Sequence, residues 1–324
     1  MTDQSNILEV KNVIKEYPIK GGFFHRVINK VQAVSDVSFI LKKGETLGLV
    51  GESGCGKSTL GRALMGLETP TSGSVLFDNI DLVTMNNSEL LKARKNFQII
   101  FQDPFSSLNP KMTVYKLLEE PIKNFYPEIS KNERIEQVKE LMTDVGLRPE
   151  FAGRYPHEFS GGQRQRISIG RALASKPQLI ICDEPVSALD VSIQAQILNL
   201  LMKLQKKYNF SYVFISHDLH VIRHISSRIA VMYLGRFVEV ANSNAIYTNP
   251  LHPYSKALLS AVPSIADRKN KKRILLEGDV PSPINPPTGC RFHPRCPIAT
   301  EKCAIETPTL ENYGDNHFAS CFNI

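Results

Sequence analysis

The stretch Leu47 to Thr59, reading LGLVGESGCGKST, carries the densest chemistry in the chain. A short apolar run (Leu47, Leu49, Val50) has the length and composition of a buried strand. It leads straight into Gly51, Glu52, Ser53, Gly54, Cys55, Gly56, Lys57, Ser58 and Thr59. Glycines at this spacing let successive backbone N–H groups turn inward around a phosphate, and a helix opening near Lys57 points its positive end at the same place. Lys57 then reaches the β- and γ-phosphates of a nucleotide. Ser58, one residue into the helix, is placed to ligate Mg²⁺. The order of strand, glycines, lysine and hydroxyl sets this apart from a glycine-rich turn that binds nothing.

Other strand ends deliver polar groups as well. Gln178 to Cys182 (QLIIC) reads as a buried strand ending in Asp183 and Glu184. Open α/β sheets place ligands at such carboxyl ends. An Asp there suits Mg²⁺, and the adjacent Glu suits orienting or deprotonating a water; the alternative is an acid pair that caps the next helix. Ser211 to Ile215 (SYVFI) reads as another strand, followed by Ser216, His217 and Asp218, and His217 is expected to face a phosphate. Asn96 to Phe101 (NFQIIF) ends at Gln102, Asp103 and Pro104. Elsewhere Phe159, Ser160, Gly161, Gly162 and Gln163 open a strong helix, RQRISIGRALAS. That is either a second anion-binding turn or an ordinary helix start.

These groups need a frame. Ile7 to Tyr17 alternates like a half-exposed strand, closed by Tyr17, whose ring either packs or stacks on an adenine. Residues 21 to 29 read as a loop, Val31 to Leu41 as a second strand, Lys57 to about Met65 as the phosphate helix, and Gly73 to Phe77 as a strand. From Val114 to Leu147 strand signals vanish and helical periodicity takes over, with Ile135, Val138, Leu141 and Met142 on one face. The expected organisation is an α/β P-loop core with an antiparallel edge sheet. Residues 1–105 form the first part of that core, 106–173 a helical insertion, 174–233 the second part of the core, and 234–324 a C-terminal extension.

Composition sets outer bounds. The 324 residues are 42% hydrophobic and 22% charged, as in an ordinary globular protein. No apolar run approaches the ~18 residues needed to span a bilayer, and MTDQSNILEV lacks the charged start and apolar core of a signal peptide, so a cytosolic chain is expected. The net charge of +7 is spread along the sequence. Its one dense run, Arg268, Lys269, Lys271, Lys272 and Arg273, reads as a solvated linker, with anionic lipid headgroups as the alternative partner.

Taken together, these segments resemble an ATP-binding cassette of an ABC transporter over nearly the whole length. GESGCGKST resembles the Walker A motif, FQDP the Q-loop, FSGGQ the signature, LIICDEP the Walker B, SALD the D-loop and ISHD the H-loop. The resemblance implies that two cassettes sandwich ATP between the P-loop of one and the signature turn of the other. Ser160, Gly161, Gly162 and Gln163 would then hold a partner's nucleotide. Glu184 would act on the attacking water, His217 would contact the γ-phosphate, and Gln102 would report the nucleotide state to a membrane partner and join Ser58 and Asp183 around Mg²⁺. Phe159 stands where the commonest signature has Leu; it stays apolar, so function is expected to persist.

Three longer segments, DPFSSLNPKMTV, NPLHPYSKALLSAVP and GDVPSPINPPTGCRFHPRCP, narrow the resemblance to the oligopeptide/dipeptide permease branch. That branch implies ATP hydrolysis coupled to peptide import, a second and different ATPase subunit, two transmembrane permease subunits, a solute-binding protein, and a place on the cytoplasmic face of the membrane. Nickel chelates or other small solutes are the alternative cargo. A cassette ATPase acting on nucleic acid is a rival, disfavoured because the insertion lacks extended heptads, so no nucleic-acid partner is expected. A non-hydrolysing switch is a second rival, opposed by the presence of both Glu184 and His217.

Six cysteines divide in two. Cys55 in the glycine loop and Cys182 in a strand read as small buried thiols. Cys290, Cys296, Cys303 and Cys321 crowd a Pro-rich tail, with five, six and seventeen residues between them. Structural zinc favours closer pairs, and four thiolates also suit an iron–sulfur cluster. The branch resemblance implies a 4Fe-4S cluster on these four, with Zn²⁺ or unligated thiols as alternatives. His293 and His317 are possible substitute ligands, but read first as surface residues.

Overall fold

The computed structural model describes residues 5–21, 26–261 and 274–324, so the basic run at 268–273 and the first residues of the N-terminus lie outside the described residues. By internal packing the chain forms two compact units. Of the described residues, one unit comprises 5–7, 42–45 and 84–214, and the other comprises 8–21, 26–41, 46–83, 215–261 and 274–324.

In chain order the elements begin with β1 (Asn6–Gly21), β2 (Arg26–Lys42), β3 (Thr46–Val50), α1 (Lys57–Leu64), β4 (Ser72–Phe77) and β5 (Ile80–Asp81). There follow α2 (Asn87–Ala93), β6 (Phe97–Ile100), α3 (Pro104–Ser107), α4 (Val114–Phe125), α5 (Lys131–Asp144), α6 (Gly161–Leu173), β7 (Leu179–Asp183), α7 (Val191–Tyr208) and β8 (Ser211–Ile215). The last part holds α8 (Leu219–Ile225), β9 (Arg228–Tyr233), β10 (Arg236–Asn242), α9 (Ser243–Thr248), α10 (Pro253–Ser260), α11 (Glu301–Ile305), β11 (Glu311–Asn312) and β12 (Phe318–Ala319).

Within the 84–214 unit, β6 and β7 pair in parallel with Phe97 opposite Leu179 and Ile100 opposite Cys182. Every residue of β7 and β8 is buried, which is why both read as continuous apolar runs rather than as alternating ones. Between β6 and β7 the chain is helical, as its periodicity predicts. α5 opens on a capping box in which Ser130 and Glu133 satisfy each other's backbone N–H groups. It buries Val138, Leu141 and Met142, with Ile135 at the margin of that face. α6 packs on α4, α5 and α7.

The other unit contains an antiparallel sheet in the order β2-β1-β4-β5. The sequence reading of 21–29 as a loop is too long. Residues 26–30 extend β2, because a two-sided, mostly exposed ribbon shows no clean alternation to read. Register shifts in β1 between Lys11 and Ile14, where Asn12 takes a φ of 46°. The bulge is held by Asn12 N donating to Ser38 Oγ at 2.8 Å and Asn12 Nδ2 donating to Asp36 Oδ1 at 2.8 Å. The same unit holds the strand run β11-β12-β10-β9-β3, in which β3 and β9 are parallel and the remaining pairs antiparallel. β9 to β12 are not among the strands expected from the sequence. The C-terminal strands are two residues long, too short for a period-2 signal.

Candidate functional site

The glycine loop follows a fully buried β3 and ends at α1, as the motif requires. Gly56 caps the helix with φ 104°, and a Cβ there would lie 2.0 Å from the carbonyl oxygen of Ala33, so only glycine fits. Gly54, at φ 77°, faces open space with Ser53 exposed beside it. Lys57 is buried, and its Nζ donates to the carbonyls of Gly51 at 2.8 Å and Glu52 at 2.9 Å, folding the ammonium across the loop it closes. Ser58 and Thr59 are half-buried on the first turn. Cys55 is buried as expected, and burial raises its thiol pKa. Tyr17 reaches the same unit's Glu68 through its hydroxyl, and Lys15 Nζ lies 5.1 Å from its ring centre. The tyrosine is therefore anchored at its polar end.

Glu52 has a second set of partners. Its N–H donates to Tyr254 Oη at 3.0 Å, and its carboxylate accepts from Arg295 Nη1 at 3.0 and 3.3 Å. The Arg295 side chain is 9% exposed. Neither Tyr254 nor Arg295 stands out in the sequence. Glu52 and Arg295 are separated by 243 positions, and no local pattern links them.

Within the 84–214 unit, Asp183 ends β7 and is buried, and Glu184 follows at a half-buried position with φ 49°. The Glu184 carbonyl accepts from Ser187 N at 3.2 Å and Ser187 Oγ at 3.0 Å, which fixes this left-handed turn. Gln102, just past β6, donates from Nε2 to Glu184 Oε2 at 3.3 Å. Two of the predicted residues, 82 positions apart, are thus brought into contact. Ser160 caps α6 in a reciprocal box. Its Oγ accepts from Gln163 N at 3.4 Å, and Gln163 Oε1 accepts from Ser160 N at 3.0 Å. Gly161 and Gly162 form the first turn, and a Cβ on Gly162 would meet Ile193 at 2.6 Å. Phe159 is buried against Phe151, ring centres 6.2 Å apart. In the other unit His217 stands exposed between β8 and α8, next to Asp218, which caps that helix.

The four tail cysteines line one small cavity of about 10 Å³ together with His252, Phe292 and His293. Cys290, Cys296 and Cys321 each receive the N–H of the residue two positions on, an arrangement that favours thiolate. Burial nevertheless dominates for all three and raises each thiol, that of Cys290 to about 11. Cys303 is held below the ordinary thiol value by hydrogen bonds from Thr300 and Asn323. Among the described residues no group of three or more His, Cys, Asp or Glu is arranged to hold a metal ion. The cysteines converge on a common cavity without being drawn into a ligand shell. His293 is half-buried, with Nδ1 3.0 Å from the Cys290 carbonyl. His317 is not the surface residue read from sequence: it is 7% exposed and bonded to Glu239.

A family profile described as ABC transporter matches residues 34–187, and another, oligopeptide/dipeptide transporter C-terminal region, matches 238–303. The oligopeptide transport ATP-binding protein AppF of Bacillus subtilis is 54% identical over 322 residues, 98% of either chain. The oligopeptide transport ATP-binding protein OppF of Salmonella typhimurium is 51% identical over 98% of this chain and 96% of its own length. The chain belongs to the oligopeptide/dipeptide ABC transporter ATP-binding proteins. The dipeptide transport ATP-binding protein DppF of Haemophilus influenzae is 49% identical over 99% of this chain and 98% of its own. Among solved structures, a dimeric post-hydrolysis state of the ATP-binding cassette MJ0796 bound to ADP and Pi is 33% identical. It covers 73% of this chain and 98% of its own with a TM-score of 0.65. The fold of this ABC transporter ATP-binding protein is accordingly the α/β P-loop cassette, and its family activity is ATP hydrolysis. No helix among the described residues is long and apolar enough to cross a membrane.

Proposed function

We propose that this chain is the ATP-hydrolysing subunit of an importer for oligopeptides or dipeptides, working as a peripheral subunit on the cytoplasmic face of the membrane. It pairs with a second ATPase subunit and two transmembrane permease subunits fed by a solute-binding protein. The observation that carries the catalytic reading is the hydrogen bond between Gln102 and Glu184 at the end of a buried strand. It ties a reporter of nucleotide state to the carboxylate suited to water. The relatives' names support peptides as cargo.

In this reading the backbone of Gly51 to Gly56 and Lys57 hold the triphosphate, and Tyr17 meets the adenine. Ser160, Gly161, Gly162 and Gln163 serve the partner's nucleotide. Ser58, Asp183 and Gln102 supply oxygens of the kind Mg²⁺ takes. Bound Mg²⁺ neutralises charge on the phosphates, Glu184 orients the water, and His217 contacts the γ-phosphate, so the protein contributes positioning and charge rather than covalent chemistry. Residues 106–173 act as the helical insertion and 234–324 as the extension. The four thiols that line one cavity of the extension, Cys290, Cys296, Cys303 and Cys321, are the donor type a 4Fe-4S cluster takes, with Zn²⁺ as the alternative, and would have to draw together to hold either. Either would staple a segment poor in core.

The test is reconstitution of the full complex in proteoliposomes. Peptide presented with the binding protein should raise ATP hydrolysis and accumulate in the lumen. ATP hydrolysis that is indifferent to peptides of every length would remove the peptide reading.

A further inference from the structure

The segment between Cys290 and Cys296 reaches the phosphate loop. His293 N donates to the Cys290 carbonyl at 2.9 Å, Arg295 N to the Phe292 carbonyl at 3.0 Å, and Cys296 N to the His293 carbonyl at 3.2 Å, so the two cysteines bracket one tight turn. Phe292 is buried and sits edge-on to Tyr233 at 5.2 Å and 5.5 Å from Tyr254, while Arg291 donates to the Leu234 carbonyl. The turn is thereby fixed on β9 and α10. Its last side chain, Arg295, extends to the Glu52 carboxylate and to Tyr233 Oη at 3.4 Å.

Glu52 is the one acidic residue in the loop, placed where a polyanionic triphosphate is expected. An uncompensated carboxylate there repels the ligand, and partial burial weakens solvent screening of that repulsion. Glu52 is also clamped through its backbone. Tyr254 Oη takes its N–H, and Lys57 Nζ and Cys55 N both donate to its carbonyl. The buried Arg295 guanidinium thus meets the loop's single negative charge at a point where the backbone is already held.

We propose that Arg295 is a positioning residue for nucleotide binding: it neutralises Glu52 and holds it aside, so that the cysteine-bearing turn sets the affinity of the phosphate loop for ATP. The proposal rests on the reading of Gly51–Thr59 as the phosphate site. It is tested in the full chain, assembled with its partner subunits, by equilibrium titration with a fluorescent ATP analogue and Mg²⁺. Arg295→Gln should weaken binding about tenfold, with turnover at saturating ATP within about twofold of wild type. Adding Glu52→Gln should restore affinity to within about threefold, since the repelling charge is then gone; a thermal midpoint that stays within about two degrees of wild type in Arg295→Gln separates this from a purely structural arginine, whose loss would lower the midpoint along with the affinity. Glu52→Gln alone should tighten binding by about threefold or more, because the Arg295 charge then faces the phosphates uncompensated, a readout that survives even if Arg295→Gln fails to fold. Arg295→Lys, which keeps the charge, should stay within about threefold. Wild-type affinity in Arg295→Gln, an equally weak double variant, or no gain of affinity in Glu52→Gln would each overturn the proposal. Failure of the wild-type chain itself to bind the analogue would instead overturn the phosphate-site reading.

Discussion

His317 Nε2 donates to Glu239 Oε1 at 2.6 Å, and through this contact the last dozen residues of the chain are tied to the wholly buried carboxylate of β10. Glu239 also accepts from Leu251 N at 2.8 Å and His252 N at 2.9 Å, so one side chain satisfies three donors from two otherwise irregular segments. Glu239→Ala should cost roughly 3 kcal/mol in urea-induced unfolding, because three buried donors lose their acceptor at once. Glu239→Gln, which keeps one acceptor oxygen, should cost less.

Gly54 and Gly56 of the phosphate loop, both left-handed, should respond differently to a methyl group. Gly56→Ala meets the Ala33 carbonyl at 2.0 Å in addition to its backbone strain, and should lower the thermal midpoint sharply and abolish nucleotide binding. Gly54→Ala meets nothing within 4 Å and bears only the left-handed backbone cost of about 1–2 kcal/mol. A differential scanning measurement on both variants checks the contrast.

Glu184→Gln should leave ATP binding intact and slow hydrolysis at this site about 10²-fold or more, measured in the assembled transporter. Gln102 can still donate to the amide oxygen, so the local geometry is kept while the base is lost. Unchanged turnover would take Glu184 out of its role.

Protein purified without oxygen should carry about four irons per chain by metal analysis, and Cys296→Ser should reduce that content. Stoichiometric zinc in place of iron would favour the other metal, and neither metal would leave the cavity lined by four unligated thiols, of which only Cys303 is buried.

The groups read most directly from sequence are those set by neighbours a few positions away. The phosphate loop, the helix start at Ser160 and the buried strand before Asp183 all depend on spacing within about ten residues, and each of these local elements appears at those positions. The contact between Gln102 and Glu184 was legible only as two strand ends, since the pairing of β6 with β7 is a long-range event. The burial of His317 was misread because nothing near it in sequence announces Glu239. The link from Arg295 to Glu52 was invisible for the same reason: it joins segments that become neighbours only when β9 and α10 bring Tyr233 and Tyr254 between them.

The left-handed backbone at Glu184 has a consequence for how the chain would change under selection. A glutamate at φ 49° bears strain that glycine would not, and its carbonyl is pinned by Ser187 whichever side chain is present. Glycine is the one residue that would relieve that strain, and it would remove the carboxylate that Gln102 now bonds. Directed evolution for heat resistance alone would therefore favour glycine at this position, so a thermostable variant needs residue 184 held constant from the outset if the proposed role of Glu184 is to be kept.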